Sequence, residues 1–403
     1  MVVHCVTRKG RGYGPAEADQ ADCMHTVRPG TGSVSAPPGL TWTAVFGREL
    51  TNIGGRDRRV VAITAAMLRP TGLLAFAQAF PERVYDVGIA EQHAVTSAAG
   101  LAMAGMKPVV AVYSTFLNRA FDQVLMDVAL HRLPVTFALD RAGITGVDGP
   151  SHHGMWDVSM LGQIPGMRLA APRDAVQLRR LLNEAIADER GPRAVRYPSG
   201  IAPEHIPAFG CIGSADLLTA PETASEVLLI PVGALATAAL DAAARLRAGG
   251  VPAAVADPRW ILPVDPALTR AAARYRLVVT IEDNAASGGF GDALSRSLRA
   301  AGHPTALLTL ALADGFASAR ERAAVHRQHG LDAEGIARQA GAEFSRITQR
   351  RRPDGGHGAD PEMGRRCPAT GAITRPGGTD DRTAARVGAN PHPVLSKTEA
   401  PTR

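Results

Sequence analysis

The sequence is poor in the residues that define several protein classes. It contains only four cysteines among 403 residues, and aromatic residues make up 4%. The cysteines are scattered, with no Cys-x-x-Cys pair and no histidine at zinc-ligand spacing, so the pattern disfavours a zinc site or a disulfide framework. We therefore expect reduced thiols. The four residues are Cys5, Cys23, Cys211 and Cys367.

Long apolar runs are also missing from the sequence. The longest apolar stretches are strand-sized, far below the ~18 residues that would indicate a membrane span. The N-terminus places its apolar residues ahead of its basic ones, which is not the order of a secretory signal. The sequence therefore predicts a cytoplasmic protein without a membrane partner.

The chain is basic, but its charge pattern is not that of a nucleic-acid-binding protein. The net charge is +6, the arginines are interspersed with acidic residues, and the few aromatics form no stacking platform. Hydrophobic residues make up 45% of the chain, which is enough apolar material for two domain-sized cores. We expect two globular domains and no nucleic-acid partner.

Short β-branched segments alternate with amphipathic segments along most of the chain. In the amphipathic segments, apolar residues recur every three or four positions, which is typical of helices. The alternation predicts an α/β protein with two parallel-sheet domains. The predicted strands are 60–65, 108–113, 134–140, 194–197, 227–232, 253–257 and 277–282, and the predicted helices are 46–52, 92–104, 116–130, 174–188 and 237–248.

Composition divides the chain into four parts. A stretch rich in Pro, Gly and small residues between 200 and 223 separates two α/β blocks, predicted as domains at 36–200 and 225–345. Residues 350–403 contain too few apolar side chains to form a core, so we predict a disordered tail. Residues 1–35 contain one predicted strand, Val2 to Thr7, then a Gly-rich basic loop without a predicted helix. This composition is typical of the last strand and linker of a preceding domain.

Polar side chains follow three predicted strands at the points where the strands end. Because open parallel sheets bind ligands at the carboxyl ends of their strands, these side chains are candidate site residues. Each one alone also has an ordinary structural explanation, such as a helix cap, a core aromatic or a turn residue, but together they favour a functional site. They are Glu91, then Tyr113, Phe116 and Arg119, then Arg141, Asp148, His152 and His153.

Four runs of sequence carry a resemblance to a known family. They are Val87-Gly-Ile-Ala-Glu-Gln-His-Ala, Val112-Tyr-Ser-Thr-Phe-Leu-Asn-Arg-Ala-Phe-Asp-Gln, Asp140-Arg-Ala-Gly-Ile-Thr-Gly-Val-Asp-Gly and Ile281-Glu-Asp-Asn. These runs resemble the 1-deoxy-D-xylulose-5-phosphate synthases of the transketolase-like group. The resemblance implies a pyrimidine-binding domain followed by a transketolase C-terminal domain that serves packing and dimerisation. It also implies the decarboxylating condensation of pyruvate with glyceraldehyde 3-phosphate, a step of isoprenoid precursor and thiamine biosynthesis.

The resemblance implies thiamine diphosphate as the cofactor. Glu91 matches the glutamate that contacts the ring nitrogen of the aminopyrimidine, where a carboxyl group favours the imino tautomer that removes the thiazolium proton. Phe116 matches the aromatic residue that stacks on the pyrimidine. Both residues therefore belong to the predicted cofactor site.

Other residues match the substrate end of the family's site. The guanidinium groups of Arg119 and Arg141 suit a carboxylate or a phosphate, because each presents a planar fork of donors that is always charged. Asp148 and His152 can hold substrate hydroxyls or move a proton. His25 matches a histidine that the family's linker lays over the active site.

Two features depart from the family pattern. Thiamine-diphosphate enzymes bind Mg²⁺ and the diphosphate with a Gly-Asp-Gly stretch and a downstream Asn in an N-terminal domain, and this chain contains no Gly-Asp-Gly. We therefore predict that the chain lacks this domain, provides no metal ligand and is inactive alone. In the segment Arg196-Tyr-Pro-Ser-Gly, Ser199 stands where the family has an arginine for the substrate phosphate, and Arg196 is the candidate replacement.

Three functions are compatible with these features. The first is a synthase-like half-enzyme that acts as a homodimer or with a diphosphate-binding partner chain. The second is a catalytically inactive paralogue that dimerises with a complete synthase. The third, a β-type subunit of another split thiamine-diphosphate enzyme, is disfavoured by the runs at Tyr113 and Asp140. The predicted catalytic residues are Glu91, His25 and His152, the cofactor contacts are Glu91, Phe116 and Tyr113, and the substrate contacts are Tyr113, Arg119, Arg141, Asp148, His152 and Arg196.

Overall fold

The structure is a computed structural model that describes residues 1–19, 23–25, 39–220 and 225–349. The predicted tail at 350–403 lies outside the described residues, as do residues 20–22 and 26–35 of the predicted N-terminal linker. The strands are β1 Val60–Thr64, β2 Val84–Asp86, β3 Lys107–Tyr113, β4 Thr136–Asp140, β5 Arg168–Ala170, β6 Arg193–Arg196, β7 Gly210–Ile212, β8 Ala215–Leu217, β9 Val227–Pro231, β10 Ala253–Asp257, β11 Trp260–Leu262, β12 Leu277–Ala285 and β13 Ala306–Leu312.

Helices cover both sheets that these strands form. The α-helices are α1 Gly14–Ala18, α2 Trp42–Arg56, α3 Leu74–Ala79, α4 Glu91–Met103, α5 Phe121–Gln123, α6 Asp157–Leu161, α7 Ala175–Ala187, α8 Ala236–Ala248, α9 Pro266–Ala272, α10 Phe290–Ala300, α11 Arg322–Gln328 and α12 Ala333–Gln349. Three 3-10 helices span Pro81–Arg83, Ser114–Ala120 and Gly233–Leu235, and a π-helix spans Val124–Ala129. These counts refer to the described ranges.

The first sheet has the strand order β11-β5-β6-β4-β3-β1-β2. Its strands are parallel except for β11, which pairs antiparallel with β5. Helices α2 and α7 pack on one face, and α4 with the π-helix packs on the other. Strands β1 and β4 are buried along their whole length and consist of β-branched and apolar residues, apart from Asp140 at the end of β4.

The second sheet has the strand order β13-β12-β9-β10-β8-β7. Strands β9, β10, β12 and β13 are parallel, whereas β7 and β8 add an antiparallel edge. Helices α8 and α12 cover one face. The other face shares a single hydrophobic core with the first sheet, in which Val110 and Val112 belong to the same cluster as Leu228 and Ile230. The two domains are therefore joined by a continuous core.

Strand β11 connects the domains more directly, since it lies in the second sequence block but pairs in the first sheet. Trp260 aligns with Ala170, and its indole Nε1 donates a hydrogen bond to Glu184 Oε2 at 2.8 Å. The guanidinium carbon of Arg168 lies 4.5 Å from the centroid of the Trp260 ring. A cation–π contact and a partly buried hydrogen bond therefore help to fix this strand at the edge of the first sheet.

The predicted α/β class with two parallel-dominated sheets is confirmed, and each predicted strand from residue 60 onwards coincides with an observed one to within a few residues. The predicted strand from Val2 to Thr7 was wrong. These residues are exposed, and no described strand pairs with them. A strand gains its backbone hydrogen bonds from a neighbour, so an apolar run alone does not make one.

Two helix predictions also need correction. The segment 1–35, expected to have no helix, contains the short α1, which has Pro15 in its first turn. The helix predicted at 116–130 is instead a succession of 3-10, α and π turns. The periodicity indicated the helical character of this segment but not its changing pitch. None of the helices in the described ranges has the length and hydropathy needed to cross a bilayer.

Helix α10 depends on a buried carboxylate at its start. Glu282 is fully buried, and its oxygens accept hydrogen bonds from the backbone N–H groups of Phe290 and Gly291 at 2.6 and 2.7 Å and from Asn284 Nδ2 at 2.9 Å. Burial raises the pKa of Glu282, although these three donors oppose the shift. Thus Glu282 caps the helix from inside the core.

We predict that Glu282→Ala lowers the free energy of unfolding by about 3 kcal/mol or more, because it leaves these buried donors without an acceptor. Urea unfolding measures the change. Asp292→Ala is the matched control, since Asp292 lies in the first turn of α10 but is exposed. In the described contacts, its carboxylate accepts a hydrogen bond from the backbone N–H of Gly288. Its loss should cost less than about 1 kcal/mol, and equal effects of the two changes would contradict the capping role of Glu282.

Candidate active site

Segments of the first domain converge where its parallel strands end. Strand β3 pairs with β4 so that Tyr113 aligns with Asp140, and the chain leaves both strands at the same edge. The 3-10 helix Ser114–Ala120 follows β3 and packs beside α4, which begins at Glu91. Polar residues from three separate parts of the sequence therefore face one region at the carboxyl ends of the strands.

Glu91 is the first residue of α4 and is 3% exposed. Its Oε2 lies 3.5 Å from Arg119 Nε, a distance that gives an ion pair without a well-formed hydrogen bond. No described residue makes a hydrogen bond to Oε2. A buried carboxylate oxygen without such a partner is costly, so the site fits a ligand that brings a polar ring atom to Glu91.

Tyr113, Phe116 and Arg119 follow one another at intervals of three residues. The 3-10 helix has three residues per turn, so it keeps Phe116 and Arg119 on one side. The rings of Tyr113 and Phe116 stack with their centroids 5.7 Å apart and an interplanar angle of 20°. Arg119 then reaches Glu91 one turn further along. A flat aromatic surface therefore lies beside the buried carboxylate.

Arg141 follows β4 in a left-handed backbone conformation, with φ at +60°. This conformation is unfavourable for a residue with a Cβ atom and occurs where the surroundings impose it. The guanidinium carbon of Arg141 lies 3.9 Å from the centroid of the Tyr113 ring. Burial raises the pKa of Tyr113 to about 12, even though Arg141 opposes the shift, so the phenol remains a hydrogen-bond donor at neutral pH.

The loop after Arg141 brings His152 to the aromatic pair. The His152 ring lies 5.6 Å from that of Phe116, edge-on at 71°, while Asp148 is exposed in the same loop. The adjacent His153 is fully buried, and its Nδ1 accepts a hydrogen bond from the backbone N–H of Thr145 at 3.1 Å. His153 therefore supports the loop from inside, and His152 is the histidine near the ligand region.

Arg196 is not brought together with these residues. Its Nε donates to Asp157 Oδ2 at 2.8 Å, its Nη2 donates to the backbone carbonyl of Asp283 at 3.2 Å, and its side chain is 5% exposed. The guanidinium is thus engaged by Asp157 and Asp283 in the interior, and its role in place of the arginine replaced by Ser199 stays a prediction. His25 lies exposed in the described stretch 23–25, and its catalytic role stays a prediction.

Two residues of the second domain near Ser199 were missed as site residues. Arg322 Nη1 donates to the Ser199 carbonyl at 3.4 Å, and its Nη2 donates to Asp283 Oδ2 at 2.8 Å. The Ile281-Glu-Asp-Asn run pointed to Asp283, but only as a family signature. Nothing in the local pattern around Arg322 indicated a contact with the first domain.

Asp140 is a further buried acid at the site. Thr43 Oγ1 donates to its Oδ2 at 2.6 Å, whereas neither its Oδ1 nor the Tyr197 hydroxyl has a partner among the described residues. Burial raises the pKa of Asp140 to about 6, although Thr43 and Arg141 oppose the shift. The sequence motif contained Asp140 but gave no sign that it points into the core.

The described part of the chain has no group of three or more His, Cys, Asp or Glu side chains arranged to hold a metal ion. The candidate site offers one buried carboxylate, two guanidinium groups, an imidazole and a stacked pair of rings. This set suits an organic ligand with a flat ring and an anionic group.

Comparison with known families assigns both domains. Residues 38–204 match the transketolase pyrimidine binding domain, and residues 218–336 match the transketolase C-terminal domain. The chain belongs to the transketolase family. Its curated relatives include the 1-deoxy-D-xylulose-5-phosphate synthase of Thermobifida fusca, 53% identical over 345 residues that cover 84% of this chain and 54% of the relative. The synthase of Mycobacterium ulcerans is 58% identical over 306 residues, covering 75% of this chain and 48% of the relative.

This transketolase-family chain spans about half the length of the curated relatives it matches. Among solved structures, a split-gene transketolase described as an inactive β4 tetramer is 27% identical, with a TM-score of 0.67. That alignment covers 76% of this chain and 99% of the split-gene subunit. The resemblance to the synthases and the predicted two-domain fold are thereby confirmed.

We expect the folding stability of the protein to depend on pH through the buried Asp140. The pKa of Asp140 is raised above the ordinary value of 3.8. Protonated Asp140 therefore makes its full contribution to the free energy of unfolding below about pH 4, and this contribution is lost as the pH rises through about 6. We predict that the stability of Asp140→Asn relative to wild type increases by roughly 2 kcal/mol between pH 4 and pH 8, because only the wild type loses stability as Asp140 ionises. Denaturant unfolding between pH 4 and 8 measures this difference.

Thr43→Val provides a second comparison, because it removes a hydrogen bond that favours ionised Asp140. In that variant the loss of stability should begin at the same pH but continue to a higher pH than in the wild type. A difference between wild type and Asp140→Asn that stays constant from pH 4 to 8 would show that Asp140 titrates normally.

Proposed function

We propose that this chain is the pyrimidine-binding and substrate-binding half of a 1-deoxy-D-xylulose-5-phosphate synthase. Such an enzyme condenses pyruvate with glyceraldehyde 3-phosphate and releases carbon dioxide. The observation that carries the proposal is the buried Glu91, whose Oε2 has no described hydrogen-bond partner, beside the stacked Tyr113 and Phe116. Since the sequence contains no Gly-Asp-Gly, the groups that bind Mg²⁺ and the cofactor diphosphate come from outside it.

Bound thiamine diphosphate would supply the carbon nucleophile and the electron sink for decarboxylation. Glu91 would hold the pyrimidine through a hydrogen bond to its ring nitrogen and exchange a proton there. The exposed side of the Phe116 ring would support the pyrimidine at little entropic cost, because the ring is already fixed by stacking on Tyr113. The chain thus provides a proton-handling acid and an aromatic support next to each other.

Anionic substrate groups would bind to the arginines around this surface. Arg141 is fixed against the Tyr113 ring, and Arg119 is 56% exposed beside Glu91, so both guanidinium groups can meet a carboxylate or a phosphate. The phenol of Tyr113 remains protonated and can donate to a substrate oxygen. His152 lies at the edge of Phe116, where an imidazole can exchange a proton with the substrate.

We predict that the purified chain releases no carbon dioxide from pyruvate when supplied with thiamine diphosphate, Mg²⁺ and glyceraldehyde 3-phosphate. Adding the separately produced part of the Thermobifida fusca relative that this chain does not match should restore turnover. Glu91→Gln should then reduce kcat by a factor of about 10² or more, since proton transfer at the pyrimidine is impaired. Carbon dioxide release measures all three outcomes.

Glu82→Gln is the matched control, because Glu82 is an exposed acid in the same domain and should not affect turnover. Turnover by the chain alone would contradict the need for outside diphosphate-binding groups. A reconstituted complex without activity would instead favour an inactive dimerisation partner. Ser199 supports that second function, because its hydroxyl cannot supply the positive charge of an arginine.

We further propose that the chain associates with a second copy of itself through an apolar surface on α4 and the π-helix. This surface consists of Met103, Met126 and Leu130, which are 47–64% exposed. The two helices are held together by a hydrogen bond from Thr96 Oγ1 to Asp127 Oδ2 at 2.6 Å. Exposed apolar side chains on adjacent helices are typical of subunit contacts. The split-gene relative of the same extent, described as a β4 tetramer, supports self-association.

The double change Met126→Glu and Leu130→Glu should convert the associated chain to a monomer, because it would bury two carboxylates in the subunit contact. Sedimentation velocity measures the result. Val176→Glu on α7 is the control, since Val176 is 41% exposed on the opposite face of the first sheet. A double variant that sediments like the wild type would assign the contact to another surface.

A further inference from the structure

The carboxyl end of β12 brings a buried acid of the second domain against the substrate loop of the first. Asp283 is 4% exposed, and its Oδ1 accepts a hydrogen bond from the backbone N–H of Ile144 at 3.1 Å. A Cβ atom on Gly143 would lie 2.2 Å from Asp283 Oδ2, so the loop backbone and the carboxylate are in direct contact. Gly143 also has φ at +75°. Both the close contact and this backbone conformation therefore favour glycine at position 143.

Basic side chains surround this carboxylate. Arg322 Nη2 lies 2.8 Å from Oδ2, and His326 Nε2 lies 3.1 Å from Oδ1. Burial alone would raise the pKa of Asp283, but His326, Arg322 and Arg196 together keep it well below its ordinary range. A buried carboxylate with this many partners has a fixed orientation, since turning it would break an ion pair in a low-dielectric region.

The loop is closed at the same point where Asp283 touches it. Gly143 N donates to the Gly154 carbonyl, and Gly154 N donates to the Gly143 carbonyl, each at 2.8 Å. Arg141 lies just before this closure, and the chain from Thr145 to His153 lies within it. The contact between Asp283 and Ile144 therefore fixes the base of the segment that carries Arg141, Asp148 and His152.

We infer that Asp283 is a positioning residue, which holds Arg141 and the loop in the arrangement that binds the anionic group of the substrate. Asp283 itself touches neither Arg141 nor the ligand region in the described contacts. Its effect passes through the backbone of Gly143 and Ile144, and it makes substrate binding in the first domain dependent on the second. The catalytic part of this inference rests on the proposed function, whereas the structural part does not.

Hydrogen exchange of the isolated chain tests the structural part. In Asp283→Asn, peptides that cover residues 141–155 should exchange roughly tenfold faster, because the loop loses its ionised acceptor. Glu282→Gln is the matched control, since Glu282 is the preceding buried acid but caps α10 and does not contact the loop. Exchange of the loop should remain near the wild-type rate in that control. A folded Asp283→Asn protein with unchanged loop exchange would overturn the inference.

A second variant guards against a failure of Asp283→Asn to fold. Arg322→Gln keeps the carboxylate but removes one of its cations, and Arg322 is itself 25% exposed. It should change loop exchange in the same direction by a smaller factor. If Asp283→Asn cannot be purified in folded form, unchanged loop exchange in Arg322→Gln would also overturn the inference.

Turnover of the reconstituted enzyme tests the catalytic part. Asp283→Asn should raise the KM for the anionic substrates by roughly tenfold with a smaller effect on kcat, because it disturbs binding and not the proton transfer at Glu91. A general loss of stability would not separate KM from kcat in this way, and Glu282→Gln should leave both near wild type at low temperature. A variant that lowers kcat alone would overturn the positioning role. If the reconstituted wild-type enzyme shows no turnover, the proposed function is overturned. The hydrogen-exchange experiment on the isolated chain still decides the structural part of the inference.

Discussion

The register between β3 and β4 is the constraint on which the candidate site depends. Tyr113 aligns with Asp140, so the residue after each strand emerges at the same height, and Arg141 meets the Tyr113 ring. Side chains alternate between the two faces of a sheet, and a shift of one residue would turn Tyr113 away from the loop. The buried apolar side chains on both faces fix this register. Core packing therefore determines where the polar side chains meet.

Buried charge in this protein is distributed unevenly between its framework and its site. Asp157 and Asp283 are paired with guanidinium groups, which makes them parts of the framework. Glu91 and Asp140 each leave one buried oxygen without a described hydrogen-bond partner, although Glu91 forms an ion pair with Arg119. Unsatisfied buried atoms reduce stability, and they are found in native proteins mainly where function requires them. Among the described carboxylates, those of Glu91 and Asp140 therefore retain buried acceptor capacity.

The sequence predicted four of the seven strands of the first sheet, namely β1, β3, β4 and β6, but not the three-residue strands β2, β5 and β11. Short strands carry too few residues to show a pattern. The sequence also grouped Glu91, Tyr113 and Arg141 correctly at one edge. The contacts from the second domain could not be predicted, since Arg322 lies about 180 residues from Arg141 in the chain and no periodicity encodes that distance. Arg196 was unpredictable for another reason. A charged residue at a strand end can face solvent or a buried acid, and only the packing of α6 decides.

Strand β11 has a consequence for the history of the gene. The second sequence block contributes Trp260 to the sheet of the first, and both blocks share one core. A break in the gene between residues 204 and 218 would leave an open sheet edge at β5 and an uncovered apolar face on each product. Recombination or fission should therefore be tolerated outside this pair of domains far more readily than between them.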